Sequence, residues 1–501
     1  MATLILAAAG KAIGAALLGS TGALLGQAAG AIAGHALDQR LFGSSRTIEG
    51  RRLDELAVQS STEGAPLPMV HGRVRLAGQV IWATRFEEEV REERSGGKGG
   101  GGSGTTVRSY RYFASFAVAL CAGPVSHVGA VWADGKPMDM TGITWRVHRG
   151  GADQPPDPLI AALQGETPAY RHTAYVVFER LPLEGFGDRL PQLTFEVIRA
   201  AGELEDLVRA VTIIPGAGEF VYEPAPVTWT VRPGVSESAN RQVMHAPSNW
   251  AASIDELQAL CPGLERVALV VAWFADDLRA GHCTIRPKIE TRGRQTQGAT
   301  WGVSGLTGST AQEVSRHEGV PAYGGTPSDA SVIAAITDLK ARGLEVALYP
   351  FLLMDVPPAN GLPDPYGGAE QAAHPWRGRI TGEVAPGLPG TSEGTVAAAT
   401  EIAAFAGSAE PAHFLPQSSG VLYLGPTEWS YRRFVLHHAN LAAAAGGVDA
   451  FLVGSEMRGL TRLSDASGHF PFVEVLRELA GQVRAILPGA KITYAADWSE
   501  Y

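Results

Sequence analysis

The stretch Ala450-Phe451-Leu452-Val453-Gly454-Ser455-Glu456 decides the fold of the C-terminal half of this 501-residue chain. It is a short apolar run that ends in a carboxylate, and such runs are typical of parallel strands buried on both faces. An apolar, helix-like segment from about residue 429 to 445 leads into it through Gly446-Gly447. This order predicts one helix–turn–strand unit of an α/β domain.

The same rhythm extends on both sides of this unit. Upstream lie an apolar run at 267–274, a helix that Ser328 caps and Gly343 stops, and a strand at 344–353; downstream lie a helix at 472–487 and a strand at 491–495. With a weak strand near Pro321, these make five strands between residues 266 and 501. A (β/α)8 barrel has eight strands in roughly 250 residues. We therefore predict a TIM-barrel-like domain that is incomplete at residue 501, in a chain that is a fragment of a longer protein.

A doubly wound parallel sheet stays open as an alternative for this region. It is disfavoured because no GxGxxG motif follows the first strand. Long inserts, such as residues 357–419, account for the remaining length of the domain.

The candidate site residues are those that follow, or nearly follow, the predicted strands. In a barrel such residues collect at the catalytic mouth, where carboxylates and indole rings would hydrogen-bond and stack sugars. The candidates are Trp273 and Asp276 after the first strand, Asp355 after the third, Ser455 and Glu456 at the end of the fourth, and Asp497 and Trp498 after the fifth.

Two of these strand ends resemble a known enzyme superfamily. Gly454-Ser455-Glu456-Met457 resembles the Gly-Asn-Glu end of strand 4 in retaining glycoside hydrolases with a barrel fold, and residues 494–501 resemble the strand 5 end of β-mannanase-like members. The resemblance implies that Glu456 is the general acid/base. A carboxylate favoured by a nearby helix start is the alternative role for Glu456.

This chain departs from the hydrolase pattern in two respects. Ser455 stands where the superfamily has an Asn that hydrogen-bonds the sugar 2-hydroxyl. Retaining chemistry also needs a second carboxylate about 5–5.5 Å from the first, and in this superfamily it follows strand 7, beyond Tyr501. We therefore expect this chain alone not to hydrolyse a glycoside, and its status as an enzyme stays open.

Residues 41–265 predict a β-rich region. Strands at 78–84 and 107–120 are predicted to form one hairpin, with the charged stretch 87–94 and the glycine-rich tip 95–104 between them. Seven glycines in ten residues predict a flexible loop that tolerates shortening. An Asp134-Gly135 turn closes a further strand.

Four pieces of this region, in order, carry a second resemblance: residues 64–73, 78–82, 121–124 and 131–136. They resemble the tail-hub region of long-tailed phage tip proteins, and above all the host-specificity, or megatron, protein of gene transfer agents. The resemblance implies a homotrimeric hub of β-barrels that closes the tail tube at the tip, or baseplate, of a virion-like particle. It also implies docking to distal-tail, tape-measure and tip proteins and a role in DNA delivery. We expect residues 63–137 to lie at the threefold interface; an ordinary secreted β domain is the alternative.

Residues 1–40 predict an Ala/Gly-rich helix with a groove of bare backbone. Its glycines lie on a four-residue spacing: Gly10, Gly14, Gly22, Gly26, Gly30 and Gly34. Such spacing favours close helix–helix approach, and the uncharged run 12–37 is long enough to span a bilayer. Three interpretations stay open: a signal peptide, a membrane anchor, or a helix packed against its own copies in a channel. In the last case residues 1–37 could pass from the channel into a host membrane, and Gly22→Leu with Gly26→Leu should impair DNA transfer.

Charge and cysteine content exclude other classes of protein. The chain carries 41 basic and 51 acidic residues, a net charge of −10, which argues against sequence-specific nucleic-acid binding. Its three cysteines, Cys121, Cys261 and Cys283, include no CxxC pair. His437 and His438 are adjacent on a predicted helix and point to different faces, so neither a metal site nor a cofactor is predicted.

The leading hypothesis is a structural protein of a phage-like tail tip whose barrel meets a host cell-surface glycan. The alternative is a membrane-tethered or secreted retaining glycoside hydrolase with an N-terminal β accessory domain. The predicted domains are residues 1–40, 41–265 and 266–501, so the predicted fold class is multidomain, β followed by α/β.

Overall fold

The computed structural model describes residues 66–95 and 105–500, the strand Thr47–Glu49 and the isolated positions 8, 11–12, 27, 29 and 64. The predicted glycine groove and the loop residues 96–104 lie outside the described residues. Two compact units are present. Among the described residues, the first comprises mainly residues up to 197, and the second comprises residues 129–131, 138–141 and 198–500.

Between residues 47 and 199, the described part of the first unit contains ten strands and one short α-helix. The strands are β1 Thr47–Glu49, β2 Gly72–Ala77, β3 Gln79–Ala83, β4 Glu87–Ser95, β5 Thr105–Ala122, β6 His127–Ala133, β7 Lys136–Pro137, β8 Thr144–His148, β9 Thr173–Pro182 and β10 Leu193–Arg199, and the helix is α1 Pro158–Gln164. They form two sheets, of orders β1-β5-β9-β8, with β3 and β4 also paired to β5, and β2-β10-β6-β7. A 3-10 helix covers Glu184–Phe186.

The predicted hairpin is more elaborate than the sequence analysis expected. Strand β5 is 18 residues long and pairs with β3 near its end and with the charged strand β4 near its start. The charged strand is stabilised by cross-strand partners: Arg108 Nε lies 2.6 Å from Glu92 Oε1, and the Tyr112 hydroxyl donates to Glu88 at 2.9 Å. Charged side chains of β4 therefore have partners on the facing strand β5.

Asp157 fixes the start of helix α1. Its fully buried carboxylate accepts hydrogen bonds from the amides of Leu159 and Ile160 and from Arg146 and His148. Burial opposes ionisation of Asp157, but the hydrogen bonds from Arg146 and His148 outweigh it and lower its pKa to about 2.

The second unit contains a parallel sheet with helices packed against it. Its strands are β11 Ala210–Ile213, β12 Thr228–Arg232, β13 Val235–Ser238, β14 Arg266–Ala275, β15 Ile285–Arg286, β16 Lys288–Ile289, β17 Thr296–Gln297, β18 Gly302–Val303, β19 Leu306–Thr307, β20 Gln312–Glu313, β21 Arg316–His317, β22 Val320–Pro321, β23 Glu345–Met354, β24 Phe414–Gln417, β25 Gly420–Tyr423, β26 Ala450–Ser455 and β27 Lys491–Ala495. The helices are α2 Leu204–Leu207, α3 Asn249–Leu260, α4 Asp329–Ala341, α5 Val396–Ala406, α6 Tyr431–Ala444, α7 Arg458–Thr461 and α8 Pro471–Ile486, with 3-10 helices at Arg377–Arg379 and Pro411–His413.

Five of these strands form the central parallel sheet in the order β11-β14-β23-β26-β27. Each strand therefore lies beside the next one along the chain, which is the strand order of a (β/α)8 barrel rather than of a doubly wound sheet. Strands β26 and β27 are the fourth and fifth, as predicted. The second unit is TIM-barrel-like over the described residues.

The predicted identity of two strands was wrong. Val320–Pro321 pairs with Arg316–His317 in a small hairpin outside the central sheet. The missing parallel strand is β11, which pairs with β14 from Ala210 to Ile213. Its β-branched residues favour a strand, but it precedes residue 266, where the barrel-like domain was predicted to begin. That domain boundary stays a prediction.

The helices begin where the sequence indicates. Ser328 caps α4 by accepting a hydrogen bond from the Ser331 amide, at 3.2 Å. Val332, Ile336 and Leu339 of this helix are buried in the core of the unit, and Gly343 ends the turn with a φ of +82°. The predicted N-cap at Ser328 and the predicted stop at Gly343 are confirmed.

No helix within the described part of the chain is long and apolar enough to cross a membrane. Residues 1–37, which were predicted to be long enough to span a bilayer, lie almost wholly outside the described residues. Cys121, Cys261 and Cys283 are free thiols and are buried.

Candidate functional site

The ends of the parallel strands are joined by backbone hydrogen bonds. The amide of Asp355 donates to the carbonyl of Ala275 at 2.8 Å, and the amide of Glu456 donates to the carbonyl of Ala495 at 2.9 Å. Asp276, Asp355 and Glu456 therefore directly follow strands β14, β23 and β26 at one edge of the sheet, as the sequence predicted.

Strands β23 and β26 separate toward that edge. They pair at only two positions, Ala347 with Ala450 and Leu348 with Phe451. Beyond this point side chains replace the backbone ladder, because the Tyr349 hydroxyl and the Ser455 Oγ are 2.6 Å apart. The sheet is thus open beside Glu456.

Arg377, from the long connection between β23 and β26, fills this opening. Its Nε donates to the Ser455 carbonyl and its Nη2 to the Ser455 Oγ, each at 2.9 Å. Its guanidinium lies 3.9 Å from the centroid of the Phe351 ring. Arg377 is buried, so these contacts hold it in a single orientation.

Glu456 is the carboxylate at which the site converges. Its Oε2 lies 2.8 Å from Nη2 of Arg377 and accepts a 2.7 Å hydrogen bond from Nε1 of Trp376. Its φ of +53° is in the left-handed region, a conformation that L residues adopt at a cost and that clusters at functional sites. About a third of the Glu456 side chain is exposed.

Gly454 allows two tyrosines to pack under the site. A Cβ at Gly454 would lie 2.2 Å from the Tyr431 hydroxyl and 3.1 Å from the Tyr494 ring. The Tyr431 hydroxyl donates to the Val453 carbonyl, and the Tyr494 hydroxyl accepts from the Met457 amide. Burial raises the pKa of both phenols, so they stay neutral and act as fixed hydrogen-bonding groups.

Asp276 and Asp355, which were predicted to bind substrate, have hydrogen-bond partners within the protein. Thr284 donates to Asp276 through its amide at 2.7 Å and its hydroxyl at 2.6 Å. Asp355 is buried and accepts hydrogen bonds from Nζ of Lys288 at 2.7 Å and from the amide of Ser315 at 3.0 Å. Both carboxylates hold the loop that follows β14.

Trp273 lies away from the strand ends. It is inside β14, fully buried, and its ring centroid lies 5.7 Å from that of Phe434 and 5.0 Å from that of His437 on helix α6. It belongs to the core between sheet and helices, where no sugar can stack on it. His438 packs beside it, and burial lowers the pKa of His438 to about 3.

Asp497 and Trp498 follow β27 at the surface. The Ser499 hydroxyl and amide donate to Asp497 and lower its pKa. Trp498 is 84% exposed. Both can reach a ligand, and their role in binding stays a prediction.

Two contacts within the protein engage the same oxygen of Glu456. Arg377 forms an ion pair with Oε2, and the Trp376 indole donates a hydrogen bond to it. The Ser455 Oγ, predicted to contact substrate, is buried and engaged with Tyr349 and Arg377. It is therefore not presented to a ligand.

Trp376 and Arg377 were missed by the sequence analysis. They lie some 80 positions before Glu456, in an insert with no helix or strand period, where no spacing rule connects them to strand β26. Among the described residues, no group of three or more His, Cys, Asp or Glu side chains is arranged to hold a metal ion.

One of the comparisons with known proteins concerns this part of the chain. Residues 429–501 match the family model described as the GTA TIM-barrel-like domain. This stretch contains Ser455, Glu456, Asp497 and Trp498. The C-terminal unit is thus TIM-barrel-like both by its strand order and by this match, and the predicted resemblance to gene transfer agents is confirmed.

Solved structures of two kinds are similar to the chain. A chain from the virion of a native gene transfer agent (GTA) particle is 44% identical, with 37% of this chain and 39% of that chain covered and a TM-score of 0.23. Two structures of GH113 β-1,4-mannanase are 18% and 16% identical, cover 47% and 46% of this chain and 46% and 44% of theirs, and have TM-scores of 0.22 and 0.21. The chain thus spans less than half the length of each of these chains. A comparison with curated proteins found no match.

Proposed function

We propose that this chain is a structural component of a gene transfer agent virion. In this proposal it forms a homotrimeric hub that closes the tail tube at the tip and takes part in DNA delivery. The observation that carries the proposal is the match of residues 429–501 to the GTA TIM-barrel-like domain, which spans the strand ends where the candidate site lies.

The TIM-barrel-like unit is proposed to contact a glycan on the host surface without cleaving it. The arrangement of Glu456 supports this role, because Arg377 holds the carboxylate in place at a partly exposed position. A carboxylate so placed can accept hydrogen bonds from sugar hydroxyls.

The first unit is proposed to carry the contacts within the particle. Its sheets would form the threefold interface through residues 63–137 and dock to the distal-tail, tape-measure and tip proteins. Residues 1–37 would lie on the axis and reach the host membrane during delivery.

Labelling of purified particles tests this proposal. An epitope inserted between Gly99 and Gly100, in the loop predicted to be flexible and to tolerate shortening, would be located by immunogold electron microscopy. Gold at one end of the tail is expected. Gold on the heads, or absence of the protein from purified particles that transfer DNA normally, would reject the proposal.

The second candidate is a retaining glycoside hydrolase with a β accessory domain. One observation favours it: Glu456 directly follows the fourth strand of the parallel sheet, where the acid/base of that superfamily stands. Activity of the chain on glycosides, lost on Glu456→Gln, would support this candidate.

A further inference from the structure

Trp376 is held rigidly beside Glu456. Its Nε1 is pinned to the Glu456 carboxylate at 2.7 Å, and its carbonyl accepts from the Arg379 amide at 3.0 Å at the start of the 3-10 helix. A Cβ at Gly378 would lie 2.4 Å from two ring carbons of Trp376. The indole therefore packs directly on the Gly378 backbone, in space that only glycine leaves.

The segment under the indole is itself fixed. A Cβ at Gly459 would lie 2.2 Å from the Ile380 carbonyl oxygen and 2.9 Å from that of Gly378. Helix α7, which contains Gly459, thus packs tightly against the backbone that carries Trp376. Although it rests on this support, Trp376 is 39% exposed, which is high for an aromatic side chain whose polar atom is already bonded.

Only one of the two Glu456 carboxylate oxygens has hydrogen-bond partners among the described residues. Both Arg377 and Trp376 bind Oε2, and Oε1 makes no hydrogen bond to any residue that the structure describes. A carboxylate oxygen accepts two hydrogen bonds. An open acceptor thus lies next to an exposed, immobilised indole.

This pairing has the chemistry of a sugar-binding subsite. A pyranose ring has an apolar face of C–H groups that packs on an aromatic ring, and hydroxyls at its rim that donate to a carboxylate. Because the ring and the carboxylate are already held in place, binding costs little side-chain entropy. The acceptor is a carboxylate group in a chain of net charge −10, which disfavours uronate and sulfated sugars.

We propose that Trp376 and Oε1 of Glu456 form a subsite for a neutral pyranose, with Arg377 as the residue that positions the carboxylate. This inference rests on the proposed glycan contact and names the residues that determine its specificity. Trp376 is the stacking platform, Oε1 accepts a ring hydroxyl, and the site prefers neutral to acidic sugars.

Calorimetry on the full chain tests the subsite. The probes are mannohexaose and cellohexaose as neutral β-1,4-linked sugars and a hexamer of guluronate as the acidic one. Trp376→Ala should lower the affinity for the neutral probe that binds best at least tenfold, equivalent to about 1.4 kcal/mol. Trp376→Phe, which keeps an aromatic ring, should lose less than Trp376→Ala does.

Gly378→Ala separates stacking from polar contact. It changes no polar side chain, but its Cβ must displace the indole, so it should weaken binding about as much as Trp376→Ala. Gly481→Ala, in an exposed position of helix α8 with open space around it, is the matched control and should leave affinity unchanged. Circular dichroism melting of each variant shows that it is folded.

Three outcomes would overturn the subsite: equal neutral-sugar affinity in wild type and Trp376→Ala, preferential binding of the guluronate hexamer, or no saturable binding of either neutral probe at millimolar concentration. Immunoblotting of purified particles separates this failure from failure of the virion role. A chain present in particles but unaffected by Trp376→Ala overturns only the subsite. A chain that loses sugar binding on Trp376→Ala but is absent from particles supports the subsite and rejects the virion role.

Discussion

Nη2 of Arg377 lies 2.8 Å from Oε2 of Glu456, so the carboxylate that the sequence marks as a general acid is paired with a buried cation. The same guanidinium binds the Ser455 carbonyl and hydroxyl. The pair is thus built into the frame of the site.

This ion pair predicts that the 501-residue chain does not hydrolyse neutral β-glycosides. Release of reducing ends from β-1,4-mannan should stay at the background rate for wild type and for Glu456→Gln, because Arg377 and Trp376 both engage Oε2 of Glu456. The matched control is Glu203→Gln, at an exposed position. Hydrolysis by wild type that Glu456→Gln abolishes would contradict this prediction and favour the hydrolase.

The resemblance to tail hubs predicts three copies of the chain in solution. Light scattering on the full chain should give a mass about three times the 52.6 kDa of one chain. A substitution at the predicted interface, Met69→Glu, should shift the mass toward the monomer, since Met69 is 63% exposed in the single chain. A monomeric mass for wild type at every concentration would count against the trimer.

Gly454 and Gly481 predict opposite effects of the same substitution. Gly454→Ala forces a Cβ against the Tyr431 hydroxyl and should lower the free energy of unfolding by about 1–3 kcal/mol, the usual range for overpacking. Gly481→Ala, at an exposed position inside helix α8, should raise it by about 1 kcal/mol through helix propensity. Urea unfolding followed by circular dichroism measures both. Similar values for the two variants would show that the packing beneath Glu456 is looser than described.

Glu219 predicts a loss of stability with rising pH. Burial raises its pKa, while the Glu290 amide, which donates to Oε1 at 2.6 Å, opposes the rise. The folded state therefore retains this proton above the ordinary value of 4.5, and the stability that it contributes is lost as pH rises through the higher folded pKa. Glu219→Gln keeps the acceptor oxygen and should flatten this part of the curve of melting temperature against pH. An unchanged curve, equal to that of Glu203→Gln, would refute the assignment.

Asp157 predicts a large loss of stability in the first unit. Asp157→Asn removes the anion from a fully buried site shared by Arg146 and His148 and should cost about 3 kcal/mol. Glu92→Gln removes the exposed partner of Arg108 and should cost at most about 1 kcal/mol. Urea unfolding of the two variants compares them directly.

The pH dependence of this group has the opposite sign to that of Glu219. The pKa of Asp157 is lowered to about 2, so its contribution is complete above the ordinary value of 3.8 and is lost as pH falls through about 2. The difference in melting temperature between wild type and Asp157→Asn should therefore shrink between pH 4 and pH 2. A constant difference would contradict the assignment.

The parallel strands could be predicted because burial on both faces leaves a continuous apolar signal. Residues 267–274 and 450–455 show it, and the carboxylate that ends the second run marks the edge of the sheet. Strand β11 escaped because its four residues are too few to stand out from the surrounding β-rich sequence. Charged strand β4 escaped because its stabilising partners lie on β5, beyond the glycine-rich stretch of sequence 95–104.

The site was only half predictable for a related reason. Glu456 follows a strand, and strand ends can be read locally. Trp273 has the same local signal, yet its place within β14 points it at helix α6 rather than at a ligand, and only the packed structure reveals this. Trp376 and Arg377 carry no periodic signal, because their placement depends on close approach at Gly378 and Gly459.

The opening between β23 and β26 has a consequence for how such proteins diverge. Arg377, from the connection between β23 and β26, makes hydrogen bonds to Ser455 where the two strands no longer pair. A different connection would therefore need another side chain to make these hydrogen bonds at the strand ends. A substitution at the exposed Trp376 leaves these bonds in place, whereas a substitution at the buried Arg377 removes them.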